Sequence, residues 1–167
     1  MDLGEELDKS GNEIFRFEAL QEYFSDGSDV LQNEIEKQWR EKNEIDMDLM
    51  KEWHEFIESK VKEGVKFSWV RLVKFPLNEY TKWSLYVYKK RVKYGIDIRI
   101  ITKEKIEEFG VDIKDFYLID EKNAFLMKYG KFNEYLDCEF DNKNLWRYKK
   151  IKDLLMAHSI SVSDFDY

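Results

Sequence analysis

Apolar residues recur at helical spacing in the first third of the chain and at strand-like spacing after residue 65. Residues 46–61 place apolar side chains every three or four positions, which predicts a helix that ends at Gly64. Asp29 precedes a similar stretch through Leu31 and Ile35 and is expected to cap a second helix. Before it, residues 14–24 predict an apolar patch in a short helix or an extended segment, followed by a turn at Asp26-Gly27-Ser28-Asp29.

The central segment, residues 66–101, predicts a strand, a helix and a second strand. Val65 to Lys74 is rich in β-branched and aromatic residues, and Pro76 breaks the pattern after it. Asn78 to Tyr94 has helical spacing and is followed by a short apolar run that ends at residue 101. Two strands joined by a helical crossover are most simply parallel and right-handed, so this segment is expected to be a βαβ unit.

The C-terminal part predicts an antiparallel meander and a closing helix. A short connecting helix is expected at 103–110, then strands in 115–120, 123–129 and 131–140, and a helix from about 144 to 157. The predicted fold class is therefore α+β, a single domain with a mixed sheet of about five strands and helices packed on it.

Composition supports a single domain over residues 1–167. The chain has one Pro, seven Gly and 43% hydrophobic residues, which leaves no obvious linker and enough apolar side chains for one core. Residues 1–13 are expected to be a flexible tail, 14–64 mainly helical, and 65–167 the part that contains the sheet. The lone Cys138, the absence of a signal segment and the absence of a long apolar run favour the cytoplasm and no membrane partner.

Charge is segregated along the chain. Residues 1–59 carry a net charge of −12, residues 60–105 a net charge of +9 and residues 106–167 a net charge of −4. A local positive block can attract polyanions even on an acidic protein, and lysines with aromatic neighbours suit single-stranded nucleic acid. The candidate nucleic-acid residues on one helix face are Lys82, Tyr86, Lys89, Lys90 and Lys93. The alternative is that this face is only solvated helix surface.

Three arginines stand at positions where apolar residues are expected. Arg91 shares the apolar face of its helix with Tyr80, so either a carboxylate pairs with it internally or it binds an anion in a cleft. Arg71 and Arg99 interrupt apolar strands and are predicted to converge near the carboxyl ends of parallel neighbours. The carboxylates considered as partners for Arg91 are Glu18, Asp97, Asp115 and Asp120. The candidate ligand- or partner-binding residues are Arg71, Lys74, Trp83, Arg91 and Arg99.

No complete catalytic set is evident. A magnesium site is a minor alternative because carboxylate oxygens suit that ion, and its candidate ligands are Asp115, Asp120, Glu121, Asp137 and Glu139. Two distant histidines and one cysteine argue against zinc, and Cys138 is expected to be a small packing residue. We therefore expect no catalytic residue, no metal and no cofactor.

Four segments resemble a family of uncharacterised bacterial domains of unknown function. They are FRFEAL at 15–20, VRLVKFPLNEY at 70–80, YKKRVKYGIDIRII at 88–101 and DFYLID at 115–120. Members of that family are commonly encoded beside helix-turn-helix regulators, which implies a regulatory or effector role. The order of elements is also similar to half of a phospholipase D-like fold. The catalytic signature of that fold, a His followed two residues later by Lys, is absent at both His54 and His158.

The sequence therefore favours a non-catalytic regulatory or protein-interaction module. Its expected partner is a protein such as a helix-turn-helix regulator. The alternative is a nucleic-acid-binding or nucleic-acid-processing protein that uses the basic helix face.

Overall fold

A computed structural model of the protein describes residues 1–24 and 29–167. Its strands are β1 (Glu13–Glu18), β2 (Lys66–Val73), β3 (Asp97–Thr102), β4 (Phe116–Ile119), β5 (Asn123–Tyr129), β6 (Tyr135–Phe140) and β7 (Ile160–Ser161). Its helices are α1 (Leu3–Lys9), α2 (Val30–Lys42), α3 (Lys51–Lys62), α4 (Glu79–Arg91), α5 (Lys103–Glu107) and α6 (Leu145–His158). The turn predicted at Asp26-Gly27-Ser28 lies outside the described residues.

The strands form a mixed sheet in the order β6-β5-β4-β1-β2-β3-β7. Strands β1, β2 and β3 are parallel, and β4 pairs antiparallel with β1. The predicted βαβ unit is confirmed as β2-α4-β3, and the predicted antiparallel meander as β4-β5-β6. The α+β class and the mixed sheet are thus confirmed, but the sheet has seven strands among the described residues instead of about five.

Strand β1 is one of the two additional strands. Residues 14–24 were expected to form an apolar patch in a short helix or an extended segment, whereas residues 13–18 form a strand at the centre of the sheet. Each residue from Ile14 to Glu18 is buried, because β1 has a neighbour on both edges and a layer of helices on both faces. The other additional strand, β7, is two residues long and pairs with Arg99 and Ile100 of β3.

Two helical layers cover the sheet. On one side, α2, α3 and α4 pack through Ile35, Ile57 and Leu85 onto alternate strand residues such as Phe67 and Trp69. On the other side, α5 and α6 pack onto the alternate set, in a core that contains Phe15, Phe17, Val70, Ile106 and Leu155. Since successive strand side chains point to opposite faces, the two helical layers contact alternate residues of the same strands. We call these sides the α2–α4 face and the α5–α6 face.

Residues 1–13 were predicted to be a flexible tail, but the structure contains helix α1 there. Asp2 caps this helix by accepting a hydrogen bond from the Glu5 backbone N–H. Leu3 and Leu7 pack against the core of the α2–α4 face. The buried ammonium group of Lys60 donates to the backbone oxygens of Asp8 and Ser10, so α3 holds the end of α1.

The predicted helices in the rest of the chain are present at close to the expected bounds. Asp29 caps α2 by accepting from the Gln32 backbone N–H, as predicted. Gly64 follows α3 with a φ of 92°, which explains why glycine stands there. Trp146 lies on the outer side of α6 and is 67% exposed. No helix within the described ranges is long and apolar enough to cross a membrane.

The central position of β1 predicts a large loss of stability on truncation of its core side chains. Phe15 is fully buried beside Phe116, and we expect Phe15→Ala to lower the free energy of unfolding by about 3–5 kcal/mol. Urea unfolding followed by circular dichroism measures this loss. Phe132→Ala is the matched control, because Phe132 is 67% exposed and its removal leaves no core cavity. Equal effects of the two substitutions would contradict the placement of β1.

Candidate binding site

Four buried charged residues lie together at the carboxyl ends of β1 and β2. Arg16 and Glu18 occupy β1, Arg71 occupies β2, and Asp115 immediately precedes β4. All four side chains are on the α2–α4 face, because they alternate with Phe17, Val70 and Phe116 of the opposite core. They form two ion pairs, Arg16 Nη2 to Asp115 Oδ2 at 3.1 Å and Arg71 Nη1 to Glu18 Oε2 at 3.3 Å.

Glu18 connects three elements. Besides Arg71, its carboxylate accepts hydrogen bonds from Tyr88 Oη of α4 at 2.6 Å and from Trp69 Nε1 of β2. Burial acts to raise the pKa of Glu18, but the charges of Arg71 and Arg16 and these two hydrogen bonds outweigh it and lower the pKa. Glu18 is therefore ionised, and both of its oxygens accept hydrogen bonds from protein donors.

Arg71 is completely buried. Its guanidinium lies over the rings of Tyr23 and Tyr80, 5.2 and 5.9 Å from their centroids. Burial acts to lower the pKa of Arg71, and the Glu18 carboxylate reverses this and raises it. Nε and Nη2 of Arg71 have no hydrogen-bond partner among the described residues, so the Glu18 contact carries most of its compensation.

The second ion pair ties β1 to the start of β4. Asp115 accepts from Arg16, from the Tyr23 hydroxyl and from the Ala19 backbone N–H. Burial raises the pKa of Asp115 above its ordinary value even though Arg16 and these donors act against it. Arg16 also donates to the Tyr129 hydroxyl at 3.0 Å, so the pair reaches β5.

An aromatic cavity of about 630 Å³ opens beside this network, between α2, α3 and α4. Its wall contains three of the five tryptophans, and we call it the tryptophan cavity. The residues that define it are Trp53, Trp69, Tyr80, Trp83, Tyr88 and Arg91. Glu18 lies in its floor, and the exposed charges of Asp29, Asp48, Lys51 and Glu52 surround it. Its volume falls within the range of small-ligand pockets.

Arg91 is the buried cation of this cavity that has no carboxylate. It is 7% exposed, and no acidic oxygen among the described residues lies within 4.0 Å of it. Its Nε donates to His54 Nε2 at 3.1 Å, and its Nη2 lies 3.4 Å from Met50 Sδ. Burial lowers the pKa of Arg91, and the nearby Tyr88 and Glu18 only partly offset that effect. The predicted internal ion pair with Glu18, Asp97, Asp115 or Asp120 does not form.

His54 is a neutral acceptor for Arg91. Burial, followed by the charges of Arg91 and Lys93, lowers the pKa of His54 from 6.5 to about 4. Its ring stacks on Tyr94 with centroids 4.5 Å apart. Because Nε2 accepts from Arg91, the proton of the neutral imidazole is assigned to Nδ1, which has no partner among the described residues.

The structure separates the five predicted ligand- or partner-binding residues. Arg91 and Trp83 line the tryptophan cavity, and Arg71 lies beside it in contact with Glu18 and Tyr80. Arg99 does not join them, because it pairs with Val70 and therefore points to the α5–α6 face. There it donates to Ser159 and lies 3.8 Å from Asp97. Lys74 lines a different, wider groove beyond the ends of β1 and β2.

The basic face of α4 is largely engaged within the protein. Lys82 pairs with Glu79 at 2.7 Å, and Tyr86 packs on Trp39 with centroids 5.6 Å apart. Lys89 donates to the Phe165 backbone oxygen at 2.7 Å. Lys90 and Lys93 are exposed and lie over the rings of Tyr86 and Tyr94. Three of the five predicted nucleic-acid residues thus have partners on neighbouring elements or on α4 itself.

The carboxylates considered for magnesium are dispersed. Asp120 accepts three backbone N–H groups of residues 11–13, and Glu121 pairs with Lys152. Glu139 pairs with Lys128 at 2.6 Å on the outer strands. Within the described ranges, no group of three His, Cys, Asp or Glu side chains is arranged to hold a metal ion. Cys138 is half-buried next to the core of the α2–α4 face.

Sequence reasoning missed Arg16, His54, Trp53 and Trp69 as members of the site. One signal for Arg16 and Glu18 is present in the printed sequence. They alternate with Phe15 and Phe17, which is the pattern of a strand with a polar network on one face. The contact between His54 and Arg91 joins residues 37 positions apart on different helices, so no local sequence pattern predicts it.

Comparison with known proteins gives a family and a fold. Residues 2–166 match the model of a family described as a domain of unknown function. The chain is similar in structure to a phospholipase D family member, Nuc, from Salmonella typhimurium, with a TM-score of 0.52 and 12% identity over 94% of this chain and 86% of that one. No curated protein matches the chain. Both predicted resemblances are confirmed, and at 12% identity the second shows the fold alone.

Removal of the Glu18 charge is expected to destabilise the fold strongly. Glu18→Gln leaves Arg71 buried without an anion, and we expect a loss of about 3–5 kcal/mol in the free energy of unfolding. The double substitution Glu18→Gln/Arg71→Met removes both charges and is expected to recover most of that loss. Urea unfolding of all variants measures it. Glu79→Gln, which breaks the exposed pair with Lys82, is the control and is expected to have little effect. A Glu18→Gln variant as stable as this control would contradict the analysis.

The lowered pKa of His54 predicts a specific loss of stability in mild acid. The folded state binds the His54 proton less well than the unfolded state, so the contribution is complete above pH 6.5 and is lost as the pH falls toward 4. At pH 5 the loss is roughly 1–2 kcal/mol. Urea unfolding at pH 7.5 and pH 5 measures it, with His54→Gln as the control because carboxylates titrate alike in both proteins. The wild type should lose more stability than the variant; equal losses would refute this assignment.

Proposed function

The chain belongs to the DUF6879 family, whose function is unknown, and we propose that it acts as a non-catalytic regulatory or protein-interaction module. Its recognition site is the tryptophan cavity, into which a partner protein inserts an apolar or aromatic anchor. The observation that carries this proposal is the aromatic wall of a cavity of about 630 Å³ that includes Trp53, Trp69 and Trp83.

The composition of the wall supports a recognition role. Tryptophan, tyrosine and arginine dominate the binding energy of protein interfaces, and this cavity presents all three types. Trp53 and Trp83 are only partly buried by the helices, so their faces remain available to a ligand. Tyr80 and Trp83 lie on adjacent turns with ring centroids 4.4 Å apart, which gives the cavity one continuous aromatic side.

The side chains of the wall support binding better than catalysis. Ser84 is the serine of the cavity wall and so the side chain there that could serve as a nucleophile. Its Oγ instead donates a hydrogen bond to the Tyr80 backbone oxygen at 2.8 Å. Glu18 is charge-paired with Arg71 and accepts two further hydrogen bonds. A general base needs a pKa near the working pH, whereas the contacts of Glu18 lower its pKa and engage both of its oxygens.

The charges around the opening favour a basic partner. Among the described residues at the opening, Asp29, Asp48 and Glu52 are exposed, and Lys51 is the one exposed cation. They belong to the N-terminal 59 residues, which carry a net charge of −12. A negative surface accelerates association with a positive partner, and salt weakens that effect. A helix-turn-helix regulator with a basic surface has this chemistry.

Nucleic-acid binding through the basic face of α4 is the alternative function. Lys90 and Lys93 are the members of that face that stand exposed, whereas Lys82 and Lys89 have partners within the protein. If α4 binds single-stranded DNA, anisotropy of the labelled DNA should fall steeply with salt, and Lys90→Glu/Lys93→Glu should abolish it. We expect no binding at low salt.

A peptide-display selection tests the proposed function. Peptides selected on the wild-type protein are expected to bind Trp83→Ala at least about 30-fold more weakly, since a central tryptophan contributes about 2 kcal/mol or more. Binding is measured by fluorescence polarisation of the labelled peptides. Trp146→Ala is the matched control, because Trp146 is 67% exposed on α6, away from the cavity.

Two results would contradict the proposal. One is selected peptides that bind Trp83→Ala and the wild type equally. The other is a loss of affinity in Trp146→Ala instead of Trp83→Ala. Circular dichroism and urea unfolding of each variant establish that the fold is retained before affinities are compared.

A further inference from the structure

The buried charges on the α2–α4 face do not balance. Its buried cations are Arg16, Lys60, Arg71 and Arg91, and the carboxylates paired with them are Asp115, Glu63 and Glu18. Arg16 and Arg71 each have one carboxylate within 3.3 Å, and Arg91 has none among the described residues. A buried cation without an anion is unfavourable, so this arrangement leaves one negative charge to be supplied from outside.

The protein groups around Arg91 do not supply that charge. His54 is neutral and accepts one hydrogen bond, Met50 contributes a weak sulfur acceptor, and the Tyr88 ring lies 5.4 Å from the guanidinium carbon. Glu18 is in the same cavity, but Arg71, Tyr88 and Trp69 occupy its carboxylate. The acidic groups at the opening are exposed, where water screens them, and they stand apart from the buried guanidinium.

We infer that the tryptophan cavity binds the C-terminal carboxylate of a partner protein whose last residue is aromatic or large and apolar. The carboxylate pairs with Arg91, and the terminal side chain packs among Trp53, Trp69 and Trp83. Guanidinium groups match carboxylates with two parallel hydrogen bonds, which suits a buried recognition arginine. This inference rests on the proposed function and adds the chemical identity of the anchor.

The opening of the cavity favours a chain terminus over a free aromatic acid. A free acid would be held by the interior alone, whereas a peptide continues outward past Asp29, Asp48 and Glu52. Basic residues preceding the terminus would meet these exposed carboxylates. The expected partner therefore ends in a basic segment followed by an aromatic or large apolar residue.

The test uses a fluorescein-labelled peptide, Lys-Arg-Ser-Leu-Phe, with a free C-terminal carboxylate or a C-terminal amide. We expect the wild-type protein to bind the free acid at least 10-fold more tightly than the amide in fluorescence polarisation. Arg91→Met should abolish that preference, because it removes the positive charge and the N–H donors and leaves an unbranched apolar side chain. Arg99→Met, on the α5–α6 face, is the matched control and should keep the preference.

Thermal unfolding of the variants shows whether a loss of peptide binding in Arg91→Met comes from a folding defect. Because Arg91 lacks a carboxylate, Arg91→Met should unfold thermally at or above the wild-type temperature, whereas Arg71→Met should unfold below it. A lower unfolding temperature for Arg91→Met would show that the Arg91 charge is already compensated and would overturn the inference.

The remaining outcomes separate this inference from the proposed function. Equal affinities for acid and amide, with binding still lost in Trp83→Ala, would overturn the carboxylate inference and leave the interaction module standing. Displacement of the peptide by N-acetylphenylalanine at equal concentration would show that a small aromatic acid is the ligand and would overturn the partner assignment. No binding of either peptide would overturn the inference, while display selection would still decide the proposed function.

Discussion

The ionised carboxylate of Glu18 is the contact that joins the elements around the candidate site. It is buried at the end of β1, and its partners come from β2 and α4 through Arg71, Trp69 and Tyr88. An ion pair in the protein interior persists only when its geometry and hydrogen bonds offset desolvation, so these partners must keep their positions. A slip of β1 by one residue would turn Arg16 and Glu18 into the apolar α5–α6 core.

The tryptophan cavity follows from this arrangement. Trp69 and Tyr88 are held by Glu18 and also form part of the cavity wall. Arg91 lies three residues after Tyr88 in α4, which places both side chains on the same side of the helix. The network that fixes the ends of β1 and β2 therefore also sets the position of the arginine that has no carboxylate.

The four arginines of the sheet and α4 differ because their surroundings differ. Arg16 and Arg71 are buried with carboxylates, and their pKa values are raised. Arg91 is buried with a neutral histidine, and burial lowers its pKa. Arg99 is half-buried on the other face, where the hydroxyl and carbonyl of Ser159 accept its hydrogen bonds. Arginine therefore has three roles in this protein. Arg16 and Arg71 belong to the buried ion-pair network, Arg91 is the candidate recognition group, and Arg99 links β3 to Ser159.

The sequence by itself determined the elements whose side-chain spacing is local. The βαβ unit, the meander, the capped helix after Asp29 and the closing helix follow from periodicity and from stop signals such as Gly64. It also marked Arg91 as a charge on an apolar helix face. Strand β1 was not determined in this way. Its alternation of Phe15 and Phe17 with Arg16 and Glu18 is typical of a half-exposed strand, whereas Arg16 and Glu18 are buried in ion pairs with residues from distant segments.

Only the tertiary structure decided which charges meet. Glu18 and Arg71 are 53 positions apart, and Arg91 and His54 are 37 apart, so their contacts depend on how strands and helices pack. The strand register sent Arg99 to the opposite face from Arg71, although both interrupt apolar strands in the same way. Charge on a predicted face is a local property of the sequence, whereas its compensation depends on atoms brought from distant segments.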